Sequence, residues 1–378
     1  MGGAVPARPR PDPVAIEWRA LVALALIAGA WLRLDRLGTQ IVIDDEWHAL
    51  VKLMRAPMAD IVTHLDYADY SIPIAVYLRW MQDTVGIDEW TLHLPMLVAG
   101  IGLLALAPSL ARAWVAAPAR ATWCVLLAVS PLLVYFSRTA RPYAITALTT
   151  TIALVAFERW WRGDAHRDRW AAAYVAATFA GGWLHMTTLA FTLTPFLYAG
   201  AQALRRDRAL FVRLVRLGLA TALPLAAVLL PPVVNDWFSF SAKAGVDSVT
   251  ADSAARTLLM LNGTKHTLLA VFLTACAAAG LYRWSRRDRV LAGYVLAVLA
   301  IGTLAIVAAR PNWVQHPLVL ARYLVPVLPL YLLLAAEGIA GALAPRLRGV
   351  APVAIALAGA GLVAAGPVPA TWDSPNQF

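Results

Sequence analysis

Residues 16–34 read IEWRALVALALIAGAWLRL, and residues 41–47, IVIDDEW, follow shortly after with three consecutive acids. An apolar run of about 20 residues crosses the hydrocarbon core of a bilayer as a helix. Asp44, Asp45 and Glu46 therefore stand just beyond a membrane span. Adjacent carboxylates repel one another and cost free energy beside a bilayer, so their position points to a reaction or a bound ion.

The rest of the chain extends the same pattern. Of its 378 residues 60% are hydrophobic and only 14% charged, with 24 prolines and 15 tryptophans, too apolar for a soluble globule of this length. Eleven apolar windows are long enough to span: 16–34, 90–110, 119–136, 142–160, 168–184, 187–204, 209–231, 264–282, 289–309, 319–341 and 350–368. The fold expected is an all-α polytopic membrane protein. The Pro-rich, basic stretch Met1–Pro13 before the first window flanks it as an anchor and not as a cleavable signal.

Arginine placement orients the helices. With the N-terminus inside, the cytoplasmic connectors hold 20 of the 32 basic and 8 of the 22 acidic residues, a balance of +12 against −2 outside. The net charge of +10 is thus a topology signal, and nucleic acid is not among the expected partners. Cys124 and Cys276 lie in apolar windows without Cys or His at metal-binding spacing, which excludes a disulfide framework and a zinc site. Asn262-Gly263-Thr264 matches a glycosylation sequon and is given no role.

The first outer connector, residues 35–89, carries ten of the fourteen outer acidic residues. Within it Trp47, Leu50, Val51, Met54 and Met58 recur at near-helical spacing, as do Ile72, Val76, Arg79 and Trp80, which predicts amphipathic helices on the outer membrane surface. Basic charge also stands outside, where the positive-inside pattern disfavours it: Arg138 and Arg141 in YFSRTARPY (135–143), and Arg322 in ARYLVP (321–326). A guanidinium grips phosphate bidentately, so these three are candidates for a lipid-phosphate ligand; their alternative is to snorkel to head groups or pair with the acidic loop. Pro142 suits the first turn of the following helix.

The ordered set of motifs resembles the GT-C superfamily of integral-membrane glycosyltransferases, particularly bacterial relatives of protein O-mannosyltransferases and of the aminoarabinose transferases acting on lipid A. Asp45-Glu46 matches that family's acidic motif in the first outer loop. Asp69-Tyr70-Ser71-Ile72-Pro73 is similar to its Asp-x-His-Pro-Pro stretch, and Glu89 to Pro95 resembles its Glu-x-x-x-Arg-Leu-Pro. The segment from Ser130 to Tyr143 is similar to its Ala-Arg-x-Tyr signature, and Arg322-Tyr323 with Pro326 and Pro329 to its late Arg-Tyr-x-x-Pro. Ser71, Ile72 and His93 depart from the pattern, and no site role is carried onto them.

The resemblance implies a single catalytic domain over residues 1–368, with a short tail at 369–378. It implies sugar transfer from a polyprenyl-phosphate donor to a lipid- or glycan-linked acceptor hydroxyl, at the outer face of a bacterial inner membrane. A hydroxyl attacking an anomeric carbon needs a carboxylate to take its proton. Direct displacement then inverts that carbon, as in the base half of an inverting glycosidase. Asp45 is the expected base, Asp44 the fallback and Glu46 an orienting or acceptor-binding partner. Phosphate leaves readily, so cationic stabilisation by Arg141 and Arg322 suffices.

Asp69, Tyr70, Tyr143, His185 and Tyr323 are secondary substrate-binding candidates, His185 having the alternative of a polar helix cap. Residues 232–262, with Asn235, Asp236, Trp237, Lys243, Asp247 and Asp252, are long enough to cover the site. Trp237 and Phe238 stack on a sugar or sit in the interfacial aromatic belt. No cofactor is required; a divalent cation held by Asp44, Asp45 and Glu46 is the alternative, since hard cations favour carboxylate oxygens, but adjacent carboxylates seldom all point to one centre. The rival reading is a polyprenyl-linked sugar or lipid flippase; against it, the polar residues gather at one mouth and not at the midplane.

Overall fold

The structure of the chain, a computed structural model, describes residues 16–39, 46, 47, 50, 53, 56–66, 70–206 and 208–365. Among them it is helical throughout, with no strand. In chain order the helices are α1 (Ile16–Leu34), α2 (Met58–Thr63), α3 (Ile72–Thr84), α4 (Glu89–Leu110), α5 (Ala117–Val129), α6 (Pro131–Ser137), α7 (Tyr143–Trp161), α8 (Arg167–Leu184) and α9 (Leu189–Thr192). They continue with α10 (Thr194–Arg206), α11 (Arg208–Asn235), α12 (Trp237–Ser241), α13 (Ala251–Leu261), α14 (Thr267–Arg287), α15 (Arg289–Ala309), α16 (Pro317–Leu324), α17 (Leu328–Leu347) and α18 (Ala351–Ala365).

Each of the eleven apolar windows coincides with one helix or a broken pair, consistent with the span count expected. By length and composition five helical stretches suffice to cross a membrane: Glu89–Ala113, Arg208–Asn235, Thr267–Arg287, Arg289–Ala309 and Pro317–Leu347. The α5–α6 pair makes a sixth if counted as one span.

Three windows expected to be continuous are broken, each beside a proline; one of them, 319–341, passes through a 3₁₀ turn (Val325–Val327, holding Pro326) between α16 and α17. At Ser130-Pro131 the chain bends by 57°. Pro131 has no N–H to give the carbonyl of Leu127, so the helix stops there. The window 187–204 splits at Leu193, two residues before Pro195, into a 3₁₀ turn (Met186–Thr188), α9 and α10.

The α5–α6 bend is held by a buried arginine from another helix. Arg33, 1% exposed, donates through Nη2 to the Leu127 carbonyl at 3.1 Å and through Nη1 to Ala128 O at 3.2 Å and Gly29 O at 2.8 Å; its Nε meets Ser137 Oγ at 3.2 Å. Those contacts supply the carbonyls that the proline leaves unpaired. At the other end of the bundle Glu158, also buried, accepts from Trp114 Nε1 at 3.0 Å and pairs with Arg162, whose Nη1 reaches Asp288 at 2.8 Å.

α14 and α17 lie back to back. A Cβ on Gly280 would stand 2.0 Å from the Leu334 carbonyl oxygen, and one on Gly338 would stand 2.0 Å from Cys276 O. Only hydrogen fits at both places, and the main chains approach accordingly.

The first connector carries the short helices expected of it. Glu46, Trp47, Leu50 and Leu53 are helical; Leu50 and Leu53 are buried while Trp47 stays exposed. In α3 the face packed on the protein is Ile72, Ile74, Ala75, Leu78 and Met81. That differs from the Ile72, Val76, Arg79, Trp80 stripe expected; Trp80 is 55% exposed on the opposite side. Arg79 crosses to the preceding loop and donates to the carbonyls of Leu53 and Ala56 at 3.3 and 2.7 Å.

Candidate active site

Asp44, Asp45 and Asp69 lie outside the described residues. Glu46 lies within them, and its surroundings are specific. It is 1% exposed, and its Oε1 faces His93 Nε2 at 3.0 Å. The same oxygen accepts the backbone N–H of Ala140. His93 is fully buried on the second turn of α4, with Nδ1 2.6 Å from the carbonyl of Glu89. A carboxylate enclosed in this way is held in place by two elements, α4 and the α6–α7 junction.

The start of α4 is fixed by its own sequence. Asp88 caps it: its carboxylate accepts the Thr91 N–H at 2.7 Å, while the Thr91 hydroxyl accepts the Asp88 N–H at 2.8 Å. This reciprocal box holds the Asp88 carboxyl below its ordinary range, first through the Thr91 backbone N–H and then through the Thr91 hydroxyl.

From Ala140 the chain runs through Arg141 into Tyr143, the first residue of α7, and a series of ring contacts begins. Tyr143 packs on His185 with centroids 5.3 Å apart, and His185 on Tyr323 at 5.8 Å. Arg322 lies with its Cζ 5.4 Å from the Tyr323 ring. His185 ends α8, and its Nδ1 meets Thr187 Oγ1 at 2.5 Å. The contact of Glu46 at Ala140, the chain from there to Tyr143, and the ring contacts thus link segments at Glu46, Tyr143, His185 and Arg322–Tyr323 that are distant in sequence. Pro142 is the residue before α7, with φ −67° and ψ −4°. It supports this chain where a first-turn position was expected.

Arg138 takes a different course from the phosphate contact expected. It is 1% exposed, and its Nη1 donates to the carbonyls of Leu32, Arg33 and Asp35, at 3.4, 3.3 and 2.5 Å. Leu32 and Arg33 hold the last carbonyls of α1 and Asp35 follows it, so Arg138 caps the end of that helix. These contacts are structural.

Tyr70 sits at the mouth with a positive φ of 61°, a strained backbone for a residue with a side chain. Its hydroxyl lies 3.2 Å from Ser239 Oγ, and Lys243 Nζ lies 4.4 Å from its ring centroid. The segment expected to cover the site is tied down on two sides. Asn235 Nδ2 donates to Thr63 O at 2.9 Å, and Asp236 accepts the Asp66 N–H at 3.1 Å. The N–H of Gly245 and of Val246 reach the carbonyls of Ala309 and Arg310, at 3.0 and 3.2 Å. Trp237 and Phe238 are 55% and 87% exposed, which fits the interfacial alternative.

His93 is the residue that sequence reasoning missed. It departs from the family motif, and its signal in the sequence is a lone His on the first turns of the helix that follows the acidic loop. Among the described residues no group of three or more His, Cys, Asp or Glu side chains is placed to hold a metal ion.

Among the described residues the chain is an all-helical bundle with several helices long and apolar enough to cross a membrane, the class of a GT-C-type fold. Two solved structures share it. ArnT from Cupriavidus metallidurans in the apo state superposes with a TM-score of 0.60 and 18% identity, covering 91% of this chain and 63% of that one. ArnT bound to undecaprenyl phosphate gives a TM-score of 0.62 and 18% identity, covering 92% and 64%. The chain thus spans a little under two thirds of the length of ArnT. No family model and no curated protein matches it. The likeness is one of fold, and it agrees with the GT-C-type resemblance read from the motifs.

Proposed function

We propose that the chain is an inverting glycosyltransferase that moves a sugar from a polyprenyl-phosphate donor to an acceptor hydroxyl at the outer face of the membrane, in cell-envelope glycan or glycolipid assembly. The observation that supports this reading is the contact of Glu46 with the Ala140 N–H, three residues before Tyr143, together with the ring series Tyr143–His185–Tyr323 beside Arg322. In this reading Asp45, next in the chain to Glu46, and the arginines Arg141 and Arg322 serve one site, as single displacement at an anomeric carbon requires. A solved structure of the same fold holds undecaprenyl phosphate, which supports a polyprenyl-phosphate donor.

In this reading Asp45, covalently next to the anchored Glu46, takes the proton of the acceptor hydroxyl as its oxygen attacks the anomeric carbon; Asp44 is the alternate. The bond from that carbon to the phosphate oxygen breaks on the opposite face, and polyprenyl phosphate leaves with its charge stabilised by Arg141 and Arg322. Tyr143, His185 and Tyr323 form a semi-aromatic wall on which a sugar ring packs, while Asp69 and Tyr70 contribute from the loop. Arg138 holds α1 in register. The chain sits in a bacterial inner membrane with its N-terminus in the cytoplasm.

The test is single-turnover release of polyprenyl phosphate from radiolabelled polyprenyl-phosphate sugars, with a membrane extract as acceptor source. Wild type should move label into an acceptor. Asp45→Asn should bind donor equally and transfer about 10²–10⁴-fold more slowly, the range for a lost general base. Transfer from no donor, with labelled lipid instead crossing a proteoliposome bilayer, would establish the flippase.

A further inference from the structure

We propose that His93 is a positioning residue of the acidic motif, acting through Glu46 and touching no substrate; the inference rests on the reading of Asp45 as base. The argument starts from the two ring nitrogens. Nδ1 lies 2.6 Å from a carbonyl oxygen, that of Glu89, which can only accept, so Nδ1 carries a proton. That bond fixes the ring's plane and its outward nitrogen. Nε2 then aims at Glu46 Oε1, 3.0 Å away, and one proton lies between the two.

Both side chains are at most 1% exposed, so water offers Glu46 little competing partnership. One oxygen of this buried carboxyl group is shared between a ring on α4 and the Ala140 N–H at the α6–α7 junction, which ties the motif to both elements. Asp45 shares a peptide bond with Glu46, and consecutive Cα atoms are about 3.8 Å apart. Loss of the anchor therefore displaces the base relative to Arg141, which shares the Ala140 junction.

The geometry distinguishes between amide substitutes for His93. The Gln amide reaches the position of Nε2 and can still donate to Glu46. The Asn amide reaches only the position of Nδ1 and serves the Glu89 carbonyl alone. The experiment compares His93→Gln, His93→Asn and His93→Leu in full-length protein in nanodiscs, following the turnover number, the donor KM and amide exchange of the peptide containing Ala140. A misplacement of about 1 Å costs roughly 100-fold in rate. The Asn and Leu variants should therefore lose about 100-fold in kcat with donor KM within about three-fold, while Gln stays within about ten-fold of wild type. In a Glu46→Gln background, His93→Leu should cost nothing further, since the two act as one unit.

A Leu variant with wild-type kcat overturns the inference, as does a Gln variant as slow as Leu, or a loss expressed in KM alone. Should His93→Leu fail to fold, the Gln and Asn pair carries the comparison. Exchange at Ala140 should quicken in Asn and Leu but not in Gln, whatever the activity. If wild type transfers no sugar yet exchange follows that order, the transferase reading falls and the anchor stands. If exchange is the same in all variants, the anchor falls.

Discussion

An arginine buried in a membrane helix has to find carbonyls or another charge, and Arg33 finds the pair of carbonyls at the break between α5 and α6. Arg33→Met keeps the length of the side chain and removes its donors, leaving Leu127 O without its arginine partner. The cost expected is about 1–3 kcal/mol, the penalty for a buried unsatisfied group, read as a lower unfolding midpoint in detergent. Arg138 does the equivalent for the end of α1. Nothing in its local sequence separates it from Arg141, three residues on, because both are cations beside an apolar run; only the fold turns one to main-chain carbonyls. Arg322 keeps the substrate role proposed for it, and Arg322→Lys should leave kcat depressed by about 10²–10³, close to Arg322→Ala, because a point charge does not reproduce a planar fork. Steady-state rates on the donor identified above check this. Asp88 gives a pH dependence of opposite origin. Its folded pKa lies below its unfolded one, so its contribution to stability is present above the unfolded value and lost as pH falls through the folded one. Asp88→Ala should therefore unfold more easily than wild type at neutral pH, and the difference should close as pH is lowered below about 4.

Helices were the most legible elements, because an apolar window about 20 residues long has few other fates in a bilayer. All eleven windows fall on helical segments, and the helix over Ile72–Thr84 also follows from the sequence. The breaks were harder to read. Pro131 and Pro195 interrupt their helices, yet Pro95, Pro108 and Pro224 lie inside continuous ones. At Pro131 Arg33 receives the freed carbonyl of Leu127, and that partner, 94 residues away in the sequence, is a tertiary fact. Helix pairing was equally invisible, since Gly280 and Gly338 are two among 23 glycines in the chain. Their contact with the facing main chain makes a firm prediction. Gly338→Leu should displace α14 from α17, an overpacking that costs upward of about 1–3 kcal/mol. Gly361→Leu, at a position with open space around it, should be tolerated. Monodispersity on size exclusion and the unfolding midpoint compare the two.

At the scale of the molecule, the site's members come from residues 46 to 323, and their order in sequence says nothing of their convergence. The motifs named the acids and arginines; the contacts at His93, Ala140 and His185 that join them depend on the packing of α4, α7, α8 and α16. The orientation proposed for the whole bundle rests on arginine asymmetry, and it can be tested apart from any activity. Both native thiols are removed first, Cys124→Ala and Cys276→Ala, so that a single introduced cysteine reports its side of the membrane. Ser241→Cys stands in the segment tied to the first loop, beside the proposed site. Gly349→Cys stands in the arginine-bearing connector before α18, where a side chain meets nothing within 4 Å. In intact spheroplasts a membrane-impermeant maleimide should label the first and spare the second until the membrane is opened. The reverse pattern would invert the topology and place the acidic loop in the cytoplasm, where a donor displayed at the outer face is out of reach; labelling of both in intact cells would mean that one of the eleven segments does not cross.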